Sequence, residues 1–258
     1  MWRNDDVDTF EGLRELSLFA GAGGGLLASR ELGWRTVCAV ELDPYCQRVL
    51  CERQNDQTFE PFPIWDDIRS FDGKPWRGLV DIVSGGFPCQ DISTAGKGAG
   101  ITGEKSGLWK EMARVIGEVR PQFAWIENSP ALVSRGLDTV LGDLAALGYD
   151  ARWGVVSACA VGAPHTRERL FVYAYSNGER LFRSILECKE NERKKSILSS
   201  LLAPQKNGAQ GMEDDLSESL LHGKNHGVAH RIHRTRAIGN GQVPQAVMLA
   251  WKWLSENM

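Results

Sequence analysis

Residues 16–25 read Leu16-Ser17-Leu18-Phe19-Ala20-Gly21-Ala22-Gly23-Gly24-Gly25. A short apolar run enters a glycine-rich turn, and a helix-like stretch over 24–33 leaves it. Thr36-Val37-Cys38-Ala39-Val40 then reads as a second strand, ending at Glu41. Strand, glycine turn, helix and strand make a βαβ unit. Glycines in such a turn let the backbone approach a ligand and leave helix amides to meet it. An acid closing the next strand is placed to accept from ribose hydroxyls, so the unit predicts an adenosine-bearing cofactor. A glycine turn alone is equally a plain tight turn. Its position after a strand, with Glu41 one strand on, favours the ligand. Gly24 and Gly25 follow Gly23 directly, which departs from G-x-G-x-x-G and disfavours a nicotinamide enzyme.

The pattern continues outward from this unit. Asp43 caps a helix through 53, with Pro44 at its first position. Strands are predicted over 79–83, 123–126, 152–158 and 169–175, and helices over 107–118 and 136–147. A Gly/Pro/Ser-rich loop spans 85–103. Strands separated by helices predict a mostly parallel sheet covered on both faces. After Tyr175 the periodicity stops. Residues 176–236 are polar and weakly periodic, and order returns at Gly239-Asn240-Gly241, Pro244 and an apolar helix over 246–254. The expected organisation is an α/β domain over 1–175, a small insertion over 176–236, and a segment over 237–258 that returns to the main domain.

Composition narrows the class. With 258 residues, 42% apolar and 24% charged, the chain is neither disordered nor fibrous. Mean hydropathy is −0.29 and no apolar run reaches membrane-spanning length. Met1 to Asp6 carries two early acids and no apolar core, so no secretory signal is expected. The cysteines stand at 38, 46, 51, 89, 159 and 188, with no C-x-x-C pair. Scattered reduced thiols in a cytoplasm fit better than disulfides or a zinc ribbon. Net charge is −3, but 176–236 holds eleven Lys/Arg against eight Asp/Glu, while 1–175 holds eighteen against twenty-four. The basic excess peaks at Arg231, Arg234 and Arg236. Alone, this is also what a solvated face looks like.

Several residues sit where chemistry is expected. Ligands of open α/β sheets bind beyond the carboxyl ends of strands. Gly85-Gly86-Phe87-Pro88-Cys89-Gln90 follows the strand over 79–83. A free cysteine is most often a small buried hydrophobe, yet Cys89 lies in a polar loop, and thiolates are strong nucleophiles. Glu127 and Asn128 end the next strand, as a cleft-facing acid and amide or as a solvated cap. Arg167 and Arg169 alternate onto one face, either reaching the same cleft or forming an exposed ladder. His222, His226, His230 and His233 recur every three or four residues, but Gly223 and Gly227 weaken the helix they need and no acid or cysteine completes a zinc set. No metal is expected.

The order of these motifs resembles the DNA (cytosine-5)-methyltransferases, in particular bacterial or phage-type members. The likeness rests on Phe19-Ala20-Gly21-Ala22-Gly23, Pro88-Cys89-Gln90, Glu127-Asn128, Arg167-x-Arg169 and Gly239-Asn240 with Pro244. It covers about 14–175 and 237–255. Ser129-Pro130 stands where the family usually has Val after Glu-Asn, and His165 where a Gln is common. The resemblance implies a doubly wound, Rossmann-like methyltransferase sheet with a small inserted target-recognition region. S-adenosyl-L-methionine would be the cofactor. Phe19 would pack on the adenine, Gly21 and Gly23 would approach the methionine part, Glu41 would take the ribose, and Asp67 would meet the adenine amine. Pro88 belongs to the same set, and Asn240 and Gln242 match backbone contacts to the cofactor. Cys89 would be the nucleophile on cytosine carbon 6, with Glu127, Arg167 and Arg169 around the ring of a flipped-out base. Gln90, Ser93, Arg231, Arg234 and Arg236 would touch DNA. Expected partners are double-stranded DNA, with room for a restriction endonuclease counterpart, and neither membrane nor metal. The chain is expected to be a cytoplasmic monomer. A tRNA-directed relative, a non-catalytic DNA-binding paralogue and a nicotinamide oxidoreductase are the competing readings.

Overall fold

Glu15 and Ser17 are buried on one face of the first strand while Leu16 and Leu18 are buried on the other. A strand hidden on both faces belongs in the middle of a covered sheet, and the computed structural model places it there. The structure describes residues 12–88, 108–176 and 241–256. Strand β1 (Arg14–Leu18) leads to α1 (Gly24–Glu31), β2 (Arg35–Val40), α2 (Pro44–Asn55), β3 (Ile64–Trp65) and β4 (Ile82–Gly85). Then follow α3 (Leu108–Val119), β5 (Phe123–Asn128), α4 (Leu132–Arg135), α5 (Leu137–Ala146), β6 (Tyr149–Ser157), β7 (Glu168–Ser176) and α6 (Pro244–Glu256).

The sheet order is β3-β2-β1-β4-β5-β7-β6. β1 pairs in parallel with β2 on one side and with β4 on the other, and β4 pairs in parallel with β5. The chain therefore winds in opposite directions from β1, and the crevice between the ends of β1 and β4 is a topological switch point. β7 runs antiparallel to β5, with Glu127 opposite Phe171 and Asn128 opposite Leu170. That pairing delivers the start of β7 to the end of β5.

Local chemistry sets most boundaries. Asp43 accepts from the Tyr45 amide at 2.8 Å and Pro44 opens α2, as the sequence predicts. In α3, Trp109, Met112, Val115, Ile116 and Val119 are all buried, the spacing of one helical face. The Trp109 indole donates to Asp143 of α5 at 2.8 Å. On the opposite face, α6 buries Ala246, Val247, Ala250 and Leu254, and Trp251 meets Trp34, Trp125 and Tyr173 edge-on, with ring centroids 4.6, 5.3 and 5.1 Å apart.

Three expectations shift. The strand predicted over 79–83 runs instead from Ile82 to Gly85, because Leu79 is exposed and Asp81 is tied to Arg14. β3 has two residues, too few for a periodicity to show. The sheet is parallel through β5 and then reverses at β7. The insertion over 176–236 lies outside the described residues apart from Ser176. So do Cys89, Gln90, Ser93, Arg231, Arg234, Arg236 and Asn240.

Candidate active site

The turn after β1 carries backbone that ordinary side chains avoid. Phe19 has φ 55°, Gly21 φ 57° and Gly23 φ 91°. A bulky residue at positive φ costs about 1–3 kcal/mol and persists only where its surroundings hold it. Here the Ala20 amide is bonded to Val40 and the Gly23 amide to Ala20, at 3.2 and 3.1 Å. A Cβ on Gly23 would also stand 3.0 Å from the Phe59 ring. Glu41 fixes the other side of the turn. Its Oε2 accepts from the Gly21 amide at 2.7 Å and its Oε1 from the Asp43 amide at 2.8 Å. Burial pushes the Glu41 carboxyl up, and the amide bonds oppose that rise. Each oxygen retains a lone pair for a further donor. Asp67 is half-buried and fork-bonded to Arg69 at 2.7–3.0 Å, which lowers its pKa.

Across the switch point, Glu127 ends β5 and is buried. Arg169 Nε meets its Oε1 at 2.6 Å. Burial drives the Glu127 carboxyl above its ordinary range, while the Arg169 and Arg167 charges and hydrogen bonds from Arg169 and Gln242 pull it back. The two arginines of β7 and its approach divide their tasks. Arg169 holds the carboxylate, and Arg167 donates to the Gly241 carbonyl at 2.8 Å, tying the returning segment down. Asn128 donates to the Phe87 carbonyl at 3.0 Å. That bond fastens the start of the loop whose next residues are Pro88 and Cys89. Phe87 itself packs on Trp109 at 5.5 Å. A cavity of about 50 Å³ joins these parts, lined by Phe19, Gly21, Gly86, Trp125, Glu127 and Gln242 among others. The site thus combines a strained glycine turn, a buried ion-paired acid and a loop start, all at the carboxyl ends of β1, β4 and β5.

The family model for the C-5 cytosine-specific DNA methylases matches residues 13–253. The chain belongs to that family. It is 32% identical over 170 residues to the Type II methyltransferase M.DsaV of Dactylococcopsis salina, covering 64% of this chain and 46% of that one. To M.Eco47II of Escherichia coli it is 34% identical over 171 residues, covering 63% and 39%. To M.HhaI of Haemophilus parahaemolyticus it is 32% identical over 170 residues, covering 64% and 50%. The chain thus spans half or less of these relatives' length. Among solved structures it resembles the Dnmt2 methyltransferase of S. pombe, with TM-score 0.53, 21% identity, and 65% and 52% of the two chains covered. A putative prophage-encoded DNA modification methyltransferase of E. coli gives 0.52, 22%, 64% and 47%. These structural likenesses establish the Rossmann-like fold.

Within this methylase frame, the structure brings together Phe19, Gly21, Gly23, Glu41, Glu127, Arg169 and Gln242. It places Asp67 at the far side, after β3, and Pro88 at the end of the described loop. Three features were not read from the sequence. Glu15 is buried and accepts from Ser29, Thr36 and Ser84 at 2.8, 2.9 and 2.5 Å. Asn128 anchors Phe87. The Gln242 side chain, and not only its backbone, enters the site. No local signal marks Glu15, because its strand, Arg14–Leu18, mixes polar and apolar residues.

Proposed function

We propose that the chain methylates carbon 5 of cytosine in a short DNA sequence, using S-adenosyl-L-methionine. The observation that carries this reading is the buried Glu127–Arg169 pair, at the switch point between the glycine turn and the loop leading to Cys89. The residues present fit the cofactor. Phe19 offers a ring beside the turn, and Glu41 keeps acceptor capacity beside its two amide bonds. No described atom lies within 4 Å of where a Cβ on Gly21 would stand, so backbone is open to a ligand there. When bound, S-adenosyl-L-methionine supplies the electrophilic methyl group that carbon 5 accepts.

The protein's own tasks follow from its chemistry. Cytosine carbon 5 is a weak nucleophile. The Cys89 thiolate adds to carbon 6 and makes carbon 5 enamine-like. Glu127 hydrogen-bonds ring nitrogen 3 and the exocyclic amine, which favours the added charge on the ring. Its raised proton affinity suits that task, because it holds a proton at a higher pH than an exposed carboxyl. Arg169 meets the ring carbonyl oxygen and keeps the acid oriented. After methylation, carbon 5 loses its proton and the thiolate leaves, restoring the aromatic ring. The base must leave the stack for any of this, at a cost of about a few kcal/mol.

Domain organisation belongs to the same reading. Residues 1–175 and 237–258 form the catalytic part, and 176–236 reads DNA, with Arg231, Arg234 and Arg236 on phosphates and Gln90 and Ser93 near the target base. The Type II names of the relatives support a restriction endonuclease counterpart. Among the described residues no helix is long and apolar enough to cross a membrane, and no group of three His, Cys, Asp or Glu gathers as a metal site.

A duplex carrying 5-fluorocytosine tests the mechanism. Fluorine cannot depart as the proton does, so the adduct stalls, and peptide mapping should locate it at Cys89. Bisulfite sequencing of DNA from expressing cells should show cytosines protected from conversion within one short sequence. Methyl transfer to tRNA and none to DNA, or an adduct on another cysteine, would overturn the reading.

A further inference from the structure

Gln242 reaches the site from the other end of the chain. It lies two residues before α6, in the segment that Arg167 clamps through the Gly241 carbonyl. Its surroundings leave no room for extra atoms. A Cβ on Gly24 would stand 2.6 Å from the Gln242 carbonyl oxygen, and one on Gly25 would stand 2.8 Å from its Oε1. On the far side, a Cβ on Gly86 would stand 3.4 Å from Gln242 Nε2 and 2.6 Å from Glu127 Oε2. The carboxamide therefore spans from the N-terminus of α1 to the loop after β4. It points its oxygen at the glycine turn and its nitrogen toward Glu127, to which the side chain is hydrogen-bonded.

The two carboxylate oxygens of Glu127 then have different keepers. Arg169 meets Oε1. The amide nitrogen of Gln242 shares the Gly86 corner with Oε2. A carboxylate held at one oxygen still swings about its side-chain torsion, and one held at both does not. We infer that Gln242 is a positioning residue for Glu127, fixing Oε2 from the return segment while Arg169 fixes Oε1 from β7. The same carboxamide rests on Gly25, so the glycine turn and the catalytic acid share one rigid support. The catalytic consequence rests on the proposed cytosine chemistry; the coupling to Glu127 does not.

Gln242→Met keeps the length and removes both amide hydrogens. Two measurements on the full chain decide the inference. The first follows the Glu127 carboxyl carbon by NMR through a pH titration, in protein carrying labelled glutamate and assigned with Glu127→Gln. Losing a donor to the charged form should raise the Glu127 midpoint by about one pH unit, a tenfold change in proton affinity. The second is methyl transfer under saturating cofactor. The rate at saturating DNA should fall about tenfold at neutral pH, and its pH profile should move with the Glu127 midpoint. The Michaelis constant for DNA should change less than about threefold, which separates a loss in the chemical step from a loss of DNA binding. Gln242→Leu, shorter and equally without donors, should behave alike. An unmoved Glu127 midpoint in folded variants overturns the inference, whatever the activity. Wild-type protein that transfers no methyl group to DNA would sink the functional reading instead, with the titration still deciding Gln242.

Discussion

Replacing Arg169 by Met should leave Glu127 as a buried charge without its ion partner. The Glu127 side chain is 10% exposed and that of Arg169 26%. Removing one member of a fully buried pair costs about 3–5 kcal/mol. Arg169 is a quarter exposed, and Arg167 and Gln242 remain beside the acid, so about 2–3 kcal/mol is expected here near pH 7.5. The cost should depend on pH in a defined direction. Burial already holds the folded-state pKa of Glu127 above its ordinary value of 4.5. Without Arg169 it rises further. An acid that binds its proton more tightly in the folded state favours folding below its unfolded pKa, and that stability is lost as pH rises through the folded value. Arg169→Met should therefore be nearly harmless at pH 4.5 and most harmful above neutrality. Glu127→Gln should rescue it, because no buried charge then remains. Urea unfolding of wild type, both single variants and the double variant at several pH values supplies the cycle. A coupling of about 2 kcal/mol is expected at pH 7.5. A cost for Arg169→Met that is flat from pH 5 to 8, or a double variant as unstable as the sum of the singles, would refute the ion-pair argument.

The remaining predictions concern other parts of the molecule. Glu15→Leu strands the hydroxyls of Ser29, Thr36 and Ser84 without their acceptor and should cost about 1–3 kcal/mol in urea unfolding. Glu15→Gln keeps an acceptor and removes a buried charge whose pKa burial raises, so its stability relative to wild type should improve as pH climbs above 5; a flat difference would contradict this. Trp109→Ala empties a fully buried site under the sheet and should cost about 3–5 kcal/mol, with Trp109→Phe markedly milder; equal losses for both would show that the Asp143 bond, not volume, dominates. Neutralising Arg231, Arg234 and Arg236 together should weaken binding to all DNA sequences alike. It should also lower the slope of log affinity against log salt by roughly 2–3, as three phosphate contacts require, and an unchanged slope would remove these residues from the interface.

What the sequence disclosed depended on whether the governing interaction was local. The Asp43-Pro44 start of α2 is legible because capping involves neighbours two residues apart. The apolar face of α3 is legible because Trp109, Met112, Ile116 and Val119 repeat at the helical period. Glycines after β1 are legible because positive φ is nearly their monopoly, although Phe19 shares that conformation and nothing local announces it. The reversal of β7 is different in kind. Parallel and antiparallel strands use the same alternation, so only the pairing of Phe171 with Glu127 discloses it. That reversal is also what separates Arg167 from Arg169. Alternation places both on one face, yet Arg169 lands at the end of β5 against Glu127, while Arg167, one step earlier, lies beyond it and takes the Gly241 carbonyl. Glu15 was hidden for the opposite reason. Its strand reads as half-polar, which fits an exposed face, but a central strand has no exposed face, and its carboxylate is kept by hydroxyls from α1, β2 and β4. Gln242 combines both difficulties. It is a polar residue in an irregular segment, and its partners Gly25, Gly86 and Glu127 come from three distant parts of the chain. Placing the switch point between β1 and β4 makes those encounters possible, since every loop leaving a strand end there converges on one crevice. The return of the chain after 236 therefore does more than cover the sheet with α6: it brings a carboxamide to Glu127, a buried acid at that crevice.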